Sequence, residues 1–251
     1  MDTTAPPFKK LRRIAGETIV RYRMISAGDR ILAGLSGGKD SFVMLELLHQ
    51  LRQAAPVPFE VTAVTFDPGF PGFNVSEISA YCKARRWDQR IIGMDIPGII
   101  SEKDFSHAPC VLCSRLRRGR LYGLAKELDC GKLALGHHLD DIIISFLMSL
   151  CRGQGVSTMA PVVHSKDEGK PCVIRPLALV PEELIRECAA LMDLPEAGVC
   201  CYKEQLNSGD RKYFAGTLAQ WEQRIPDLRS NIARSLMNPE VEHLLCPPEK
   251  Q

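Results

Sequence analysis

Residues 30–41, Arg30-Ile-Leu-Ala-Gly-Leu-Ser-Gly-Gly-Lys-Asp-Ser41, run from an apolar stretch straight into a glycine pair, a lysine and two hydroxyls. The first half reads as a buried strand, and Phe42 to Leu51 carries the apolar spacing of a helix. Ser36-Gly-Gly-Lys-Asp-Ser41 therefore lies where a strand hands over to a helix. Glycines that take unusual backbone angles, a string of N–H donors at a helix start and a lysine make an anion site suited to phosphate. An ordinary tight turn draws on the same residue types. The nucleoside-triphosphate P-loop needs four residues between its first glycine and the Gly-Lys-Ser/Thr, and the hexapeptide lacks that spacing, which argues against a kinase or GTPase.

Working outward, the alternation repeats: strand Val61–Phe66, helix Val75–Arg86, strand Arg90–Met94, a loop around a cysteine pair, helix Ser114–Leu128, strand Lys132–Leu135 and helix Asp140–Leu150. Strands alternating with helices predict an α/β fold with a mostly parallel sheet flanked by helices. A Gly-, Ser- and Pro-rich segment from Gly153 to Pro171 precedes a last strand, Val173–Leu179, and Pro181-Glu-Glu opens another helix. From about Gly198 the strand pattern stops, leaving a helix from about Arg211 to Arg224 and a short helical tail. Three parts follow: a basic helical lead-in over 1–29, an α/β domain over 30–195 with an inserted Cys-x-x-Cys loop, and a helical C-terminal extension over 196–251.

With 251 residues, 45% hydrophobic and 25% charged, the chain can bury a sizeable core. The start, MDTTAPPFKKLRR, has no apolar signal region and no stretch reaches the length of a spanning helix, so no membrane association and a cytoplasmic protein are expected. The net charge of +2 says little, but it is unevenly placed. Lys9, Lys10, Arg12, Arg13, Arg21 and Arg23 against Glu17 give +5 in one short segment, and Arg115, Arg117, Arg118 and Arg120 form a second cluster. Each is either a solvated helix face or a phosphate-binding patch.

Gly136-His-His-Leu-Asp-Asp141 falls after a strand and before a helix, at the edge of a parallel sheet where ligands bind. Paired acids at a helix start also serve as a cap. Asp67, at the end of the second strand, is a further candidate for a nucleotide wall. Ten cysteines in a chain of this length, with no secretory start, point to reduced thiols rather than a disulfide framework. Cys110-Val-Leu-Cys113 has a spacing used for zinc, for iron–sulfur clusters and for redox disulfides. Cys200 and Cys201 are adjacent and so are strained as partners on one ion; counting one of them gives three ligands and an open metal position. Cys82, Cys130, Cys151, Cys172 and Cys188 are read as small buried apolar residues.

SGGKDS after a hydrophobic strand is similar to the pyrophosphate-binding loop of the PP-loop ATP pyrophosphatases. Cys110-Val-Leu-Cys-Ser-Arg-Leu-Arg-Arg-Gly-Arg-Leu-Tyr122, Gly136-His-His-Leu-Asp-Asp141, Val173-Ile-Arg-Pro-Leu177 and Met24-Ile-Ser-Ala-Gly-Asp-Arg30 resemble the tRNA 2-thiocytidine synthetases of that superfamily. The resemblance runs from about Leu11 to Leu244. It implies a PP-loop ATP-binding domain in which Ser36, Gly37, Gly38, Lys39, Asp40 and Ser41 hold ATP, with Asp67, Gly136, His137 and Asp141 around it. It further implies catalytic roles for Lys39, Asp40, Asp140 and Arg117, with Asp140 or Asp141 as Mg²⁺ ligand or acid–base group. A [4Fe–4S] cluster on Cys110, Cys113 and a third cysteine, Mg²⁺, tRNA as substrate and a sulfur donor such as a cysteine desulfurase complete the expectation, with a homodimer as a possible assembly. Where the family has a second Cys-x-x-Cys, this chain has Cys200-Cys-Tyr-Lys-Glu; gapless counting back from Trp221 favours Cys200, with Cys201 as the rival.

Two other readings use the same residues. One keeps the fold and ATP but acts on another tRNA base or a small thiocarbonyl compound. The other is a non-catalytic nucleotide or redox sensor, in which Asp140 and Asp141 only cap a helix.

Overall fold

The computed structural model describes residues 4–102, 109–165, 167, 169–198 and 209–244, with the side chains of residues 109–111 left aside. In chain order the elements are α1 (Pro6–Arg21), β1 (Asp29–Gly34), α2 (Lys39–Ala54), β2 (Phe59–Asp67), α3 (Val75–Ala84) and β3 (Gln89–Gly93). Then come α4 (Ile96–Glu102), α5 (Pro109–Glu127), β4 (Lys132–Ala134), α6 (Leu139–Cys151), β5 (Val162–Val163) and β6 (Cys172–Ile174). The chain continues with α7 (Glu182–Ala190), α8 (Asp210–Glu222), α9 (Leu228–Met237) and a 3₁₀ turn at Val241–His243.

The strands form one sheet in the order β3-β2-β1-β4-β6-β5, parallel throughout except for the β5–β6 edge. β1 is central, pairing Ile31 with both Val61 and Lys132. Its Ile31, Leu32 and Ala33 are fully buried, as expected of a strand covered on both faces. The chain leaves β1 for β2 on one side and places β4 on the other, so a topological switch point opens between the C-terminal ends of β1 and β4.

α1 buries Phe8, Leu11, Ala15 and Ile19 along one stripe and leaves Lys9, Lys10, Arg13 and Arg21 exposed. That stripe joins the same core as α2 and α7, so the basic helix packs on the sheet domain. The C-terminal helices attach through a smaller cluster: Leu139, Ile143 and Leu147 of α6 meet Leu218 of α8 and Leu228 and Ala233 of α9. Burying a side chain such as Leu218 contributes roughly 1.5–3 kcal/mol, which anchors the extension beside the start of α6.

Four local expectations change. The first cysteine pair lies in α5, not in a loop ahead of it; Pro109 stands at the first helical position, where a missing N–H costs nothing. The last parallel strand is only Cys172–Ile174, because Arg175-Pro176 leads into turns closed by the Ala178 N–H to Arg175 O and the Val180 N–H to Leu177 O. Within the segment expected to be irregular, Val162–Val163 pairs antiparallel with β6. Cys151 is exposed at the end of α6, unlike the buried Cys82, Cys130 and Cys188.

Candidate active site

The loop from Ser36 to Ser41 closes on its own hydroxyls. The Ser36 N–H and Ser36 Oγ donate to Ser41 Oγ at 3.1 and 3.2 Å, and Ser41 Oγ donates to Gly38 O at 2.7 Å. Gly37 has φ +85°, and a Cβ there would stand 2.5 Å from Ala197 Cβ, so both conformation and space demand glycine. Gly38 is the N-cap of α2 and no side chain caps the helix, leaving first-turn N–H groups and the positive end of the helix dipole for an anion.

Across the switch point, Gly136 comes up against the same loop: a Cβ there would lie 3.2 Å from the Asp40 carbonyl carbon and from the Ser41 nitrogen. Glycine at 136 thus permits β4 and α2 to approach closely enough for the two sequence motifs to share one site. The residues after Gly136 bring a histidine pair and two carboxylates to that edge.

Lys39, Asp40, Asp140 and Asp141 gather at one edge of the sheet, each in an ion pair and with the three aspartates around His138. Lys39 Nζ lies 2.8 Å from Asp40 Oδ1 and 3.0 Å from Glu182 Oε1 at the start of α7. Burial works to lower the Lys39 pKa, but the hydrogen bonds and charges of Asp40 and Glu182 outweigh it and hold the ammonium above its ordinary range. Burial likewise works to raise the Glu182 pKa, and the Lys39 contact overcomes it, leaving that carboxylate below its usual range.

The two aspartates are not equivalent. Asp140 is 7% exposed and both its oxygens are engaged: Oδ1 accepts from Arg229 Nε at 2.7 Å and Oδ2 from the Glu182 N–H at 2.8 Å. Asp141 is half-buried; Oδ2 accepts from the His138 N–H at 3.2 Å and Oδ1 from Arg211 at 2.6 Å. His138 lies among the acids, 6% exposed, with Nε2 4.0 Å from Asp40 Oδ1 and 3.4 Å from Asp141 Oδ2, and with Nδ1 3.7 Å from Asp140 Oδ2 and without a hydrogen-bond partner.

His137 is half-buried, and its Nδ1 accepts from Arg175 Nε at 3.3 Å. Burial first, then the Arg175 charge, pushes its pKa down to about 4, so it is neutral at physiological pH. Asp67 ends β2, and its Oδ1 accepts the Gly69 N–H at 2.9 Å, a local turn at the sheet's C-terminal edge. Arg117 stands exposed on α5, and among the described residues no ion pair joins it to the loop acids. Its neighbour Arg118 is near enough to Arg175 to act on it electrostatically, so the basic face of α5 borders the site.

Cys113, one helical turn after Cys110, is half-buried and packs with Leu112 and Leu116 against the core that holds Ile96 and Ile100. Two thiol-bearing positions one turn apart on a helix suit a shared metal centre. Cys200 and Cys201 lie outside the described residues, and among the described residues no group of three metal-ligating side chains is present.

The PP-loop domain family matches residues 9–195. The chain belongs to the PP-loop family. Within that family it is 37% identical to the tRNA-cytidine(32) 2-sulfurtransferase of Syntrophotalea carbinolica, over 95% of this chain and 92% of the relative. The tRNA-cytidine(32) 2-sulfurtransferase of Azotobacter vinelandii is 39% identical over 92% of this chain and 84% of its own. These relatives put the PP-loop chain among the tRNA 2-thiocytidine synthetases, as the sequence motifs implied. A U34-tRNA thiolase NcsA from Methanococcus maripaludis, solved with its [4Fe-4S] cluster, shares the fold with a TM-score of 0.76 at 24% identity, covering 95% of this chain and 80% of that one.

Sequence reasoning passes over Glu182, Arg211, Arg229 and the contacts of His138 and Arg175. His138 and Arg175 lie inside the motifs that carry the resemblance. Glu182 reads in the sequence only as a helix start, and nothing in the sequence around Arg211 or Arg229 signals a carboxylate partner.

Proposed function

We propose that this protein is an ATP-dependent tRNA sulfurtransferase that replaces O2 of an anticodon-loop cytidine with sulfur. The observation that carries the reading is the meeting, at the β1–β4 switch point, of the uncapped Ser36–Ser41 loop with Gly136 to Asp141 in a chain 37% identical over nearly its whole length to a tRNA-cytidine(32) 2-sulfurtransferase.

In this reading the loop N–H groups, Ser36 and Ser41 grip the β- and γ-phosphates. Lys39 neutralises charge as the bond between the α- and β-phosphates breaks. O2 of the cytosine attacks the α-phosphorus and pyrophosphate leaves, which turns a poor leaving group into AMP. Mg²⁺ accompanies ATP; Asp141, half-exposed and held by one arginine, is better placed to approach it than Asp140, whose two oxygens are taken. Cys110, Cys113 and Cys200 would hold a [4Fe–4S] cluster, and that group would supply the sulfur that takes the place of O2 at C2 as AMP departs. The exposed arginines 115, 117, 118 and 120 of α5 hold tRNA phosphates beside the site, and a donor such as a cysteine desulfurase replenishes the sulfur.

The test is nucleoside mass spectrometry of tRNA from cells with and without the gene, paired with pyrophosphate release in vitro. Selective loss of 2-thiocytidine supports the reading, as do loss of pyrophosphate release in Asp40→Ala and loss of thiolation in Cys113→Ala. An unchanged tRNA profile removes cytidine as the substrate, and full thiolation by Cys110→Ala or Cys113→Ala removes the cluster role.

A further inference from the structure

A lysine ammonium on a flexible four-carbon stem needs contacts on more than one side to hold one direction. Lys39 has two. Asp40 is its neighbour in sequence and moves with it; Glu182 belongs to another helix and provides the contact that fixes where the ammonium points.

Glu182 is itself held from outside. It is the first residue of α7, whose N-cap, Pro181, offers no side-chain cap. The Glu182 N–H is satisfied by Asp140 Oδ2 of α6 instead, a cap supplied by a different helix. A carboxylate as buried as Asp140 keeps its charge and direction only with partners of its own. Arg229 Nε provides one at 2.7 Å, and the other prong of the Arg229 guanidinium meets Glu222. The planar arginine fork aims separate N–H groups at two carboxylates in fixed directions, whereas a lysine offers one rotatable ammonium.

We infer that Arg229, on α9 of the C-terminal extension, is a positioning residue for Lys39 of the phosphate loop, acting through Asp140 and Glu182. The chain of contacts runs Glu222, Arg229, Asp140, Glu182, Lys39 and crosses from α8 and α9 through α6 and α7 to α2. It gives the extension a role in the ATP site without touching ATP. The functional consequence rests on the reading of Ser36–Ser41 as the ATP phosphate site: arriving phosphates compete with Glu182 for the ammonium. Glu182→Gln therefore tightens ATP binding while lowering turnover, a split between KM and kcat that a loss of folded enzyme does not produce.

The link is measured on the full-length protein by acetic anhydride labelling and peptide mass spectrometry, with Lys39 scored against Lys126, an exposed lysine near the end of α5. An amine released from its ion pairs reacts faster. The Lys39/Lys126 ratio is expected to rise in both Glu182→Gln and Arg229→Gln by roughly two- to fivefold, the range for an ion pair about one-third exposed. The double variant is expected to label no faster than Glu182→Gln alone. Arg229→Lys keeps a positive charge beside Asp140 if Arg229→Gln folds poorly, and its ratio is expected to fall between wild type and Glu182→Gln. Wild-type ratios in folded Arg229 variants overturn the inference, and so does a double variant whose increase is the product of the two single ones. ATP added to the wild type tests the other reading separately: protection of Lys39 supports the phosphate site, and no protection removes it while the ATP-free ratios still decide the relay.

Discussion

Gly136 and Asp40 belong to different motifs, yet a single methylene group at Gly136 would sit 3.2 Å from the Asp40 carbonyl carbon. The obstacle is backbone on both sides, which cannot swing away as a side chain can. Gly136→Ala is expected to push the start of α2 from β4 by a few tenths of an ångström, lowering pyrophosphate release about tenfold for a stability loss of about 1 kcal/mol. Steady-state kinetics and urea unfolding of the same sample check both. Unchanged kinetics would mean that the approach of the two segments is not needed for activity.

Asp140 and Asp141 are expected to separate by phenotype. Asp140→Ala strands the buried side of Arg229 and the Glu182 N–H, and should cost about 3 kcal/mol of stability. Asp141→Ala loses a partly exposed ion pair and the hydrogen bond from the His138 N–H, about 1 kcal/mol, yet should abolish most ATP-dependent activity. Urea midpoints and pyrophosphate release, read together, show whether the order of the two effects is as stated.

The loop glycine has its own signature. Gly37→Ala places an L-residue at φ +85° against Ala197, so a loss of about 1–2 kcal/mol is expected together with weaker ATP binding. Calorimetric titration with a non-hydrolysable ATP analogue checks this; wild-type affinity would show that the loop conformation is dispensable.

Stability should fall as pH falls through the range from about 6.5 to about 4. His49 is 9% exposed, stacked on Trp87 with ring centroids 5.0 Å apart, and burial followed by the Arg52 charge pushes its pKa down to about 4. In this window the unfolded chain binds a proton that the folded one refuses, so unfolding gains on acidification; a single such site is worth on the order of 2 kcal/mol. Urea unfolding at pH 7 and pH 5 should give a shallower pH dependence in His49→Gln than in the wild type. Parallel slopes would show that His49 titrates normally.

The exposed arginines of α5 predict strong salt dependence of tRNA binding. Replacing Arg115 and Arg118 with alanine should weaken binding to any tRNA about equally and reduce the slope of log K against log salt by about 0.9 for each phosphate that is no longer neutralised. Filter binding across a salt series reads the slope directly, and an unaltered slope would place the RNA on another face.

The sequence alone determined the five parallel strands and the two loops that follow β1 and β4. Strand-to-helix alternation, two glycine-bearing turns and paired acids are local patterns, because backbone conformation and helix capping depend on residues a few positions apart. The same local logic misjudges the cysteine helix: Pro109 reads as part of a loop, although proline is equally at home in the first turn of a helix. What only the tertiary structure decided was the partnership across the chain. Lys39 with Glu182, Asp140 with Arg229 and Asp141 with Arg211 join residues 143, 89 and 70 positions apart. No propensity or spacing encodes such pairs: α2 and α7 meet in the main core, which brings Glu182 to Lys39, and the apolar contacts of Leu139, Ile143 and Leu147 with Leu218 and Leu228 seat the C-terminal helices beside the start of α6. That packing, driven by burial of apolar surface, brings the arginines within reach of carboxylates that the sequence marks only as a motif.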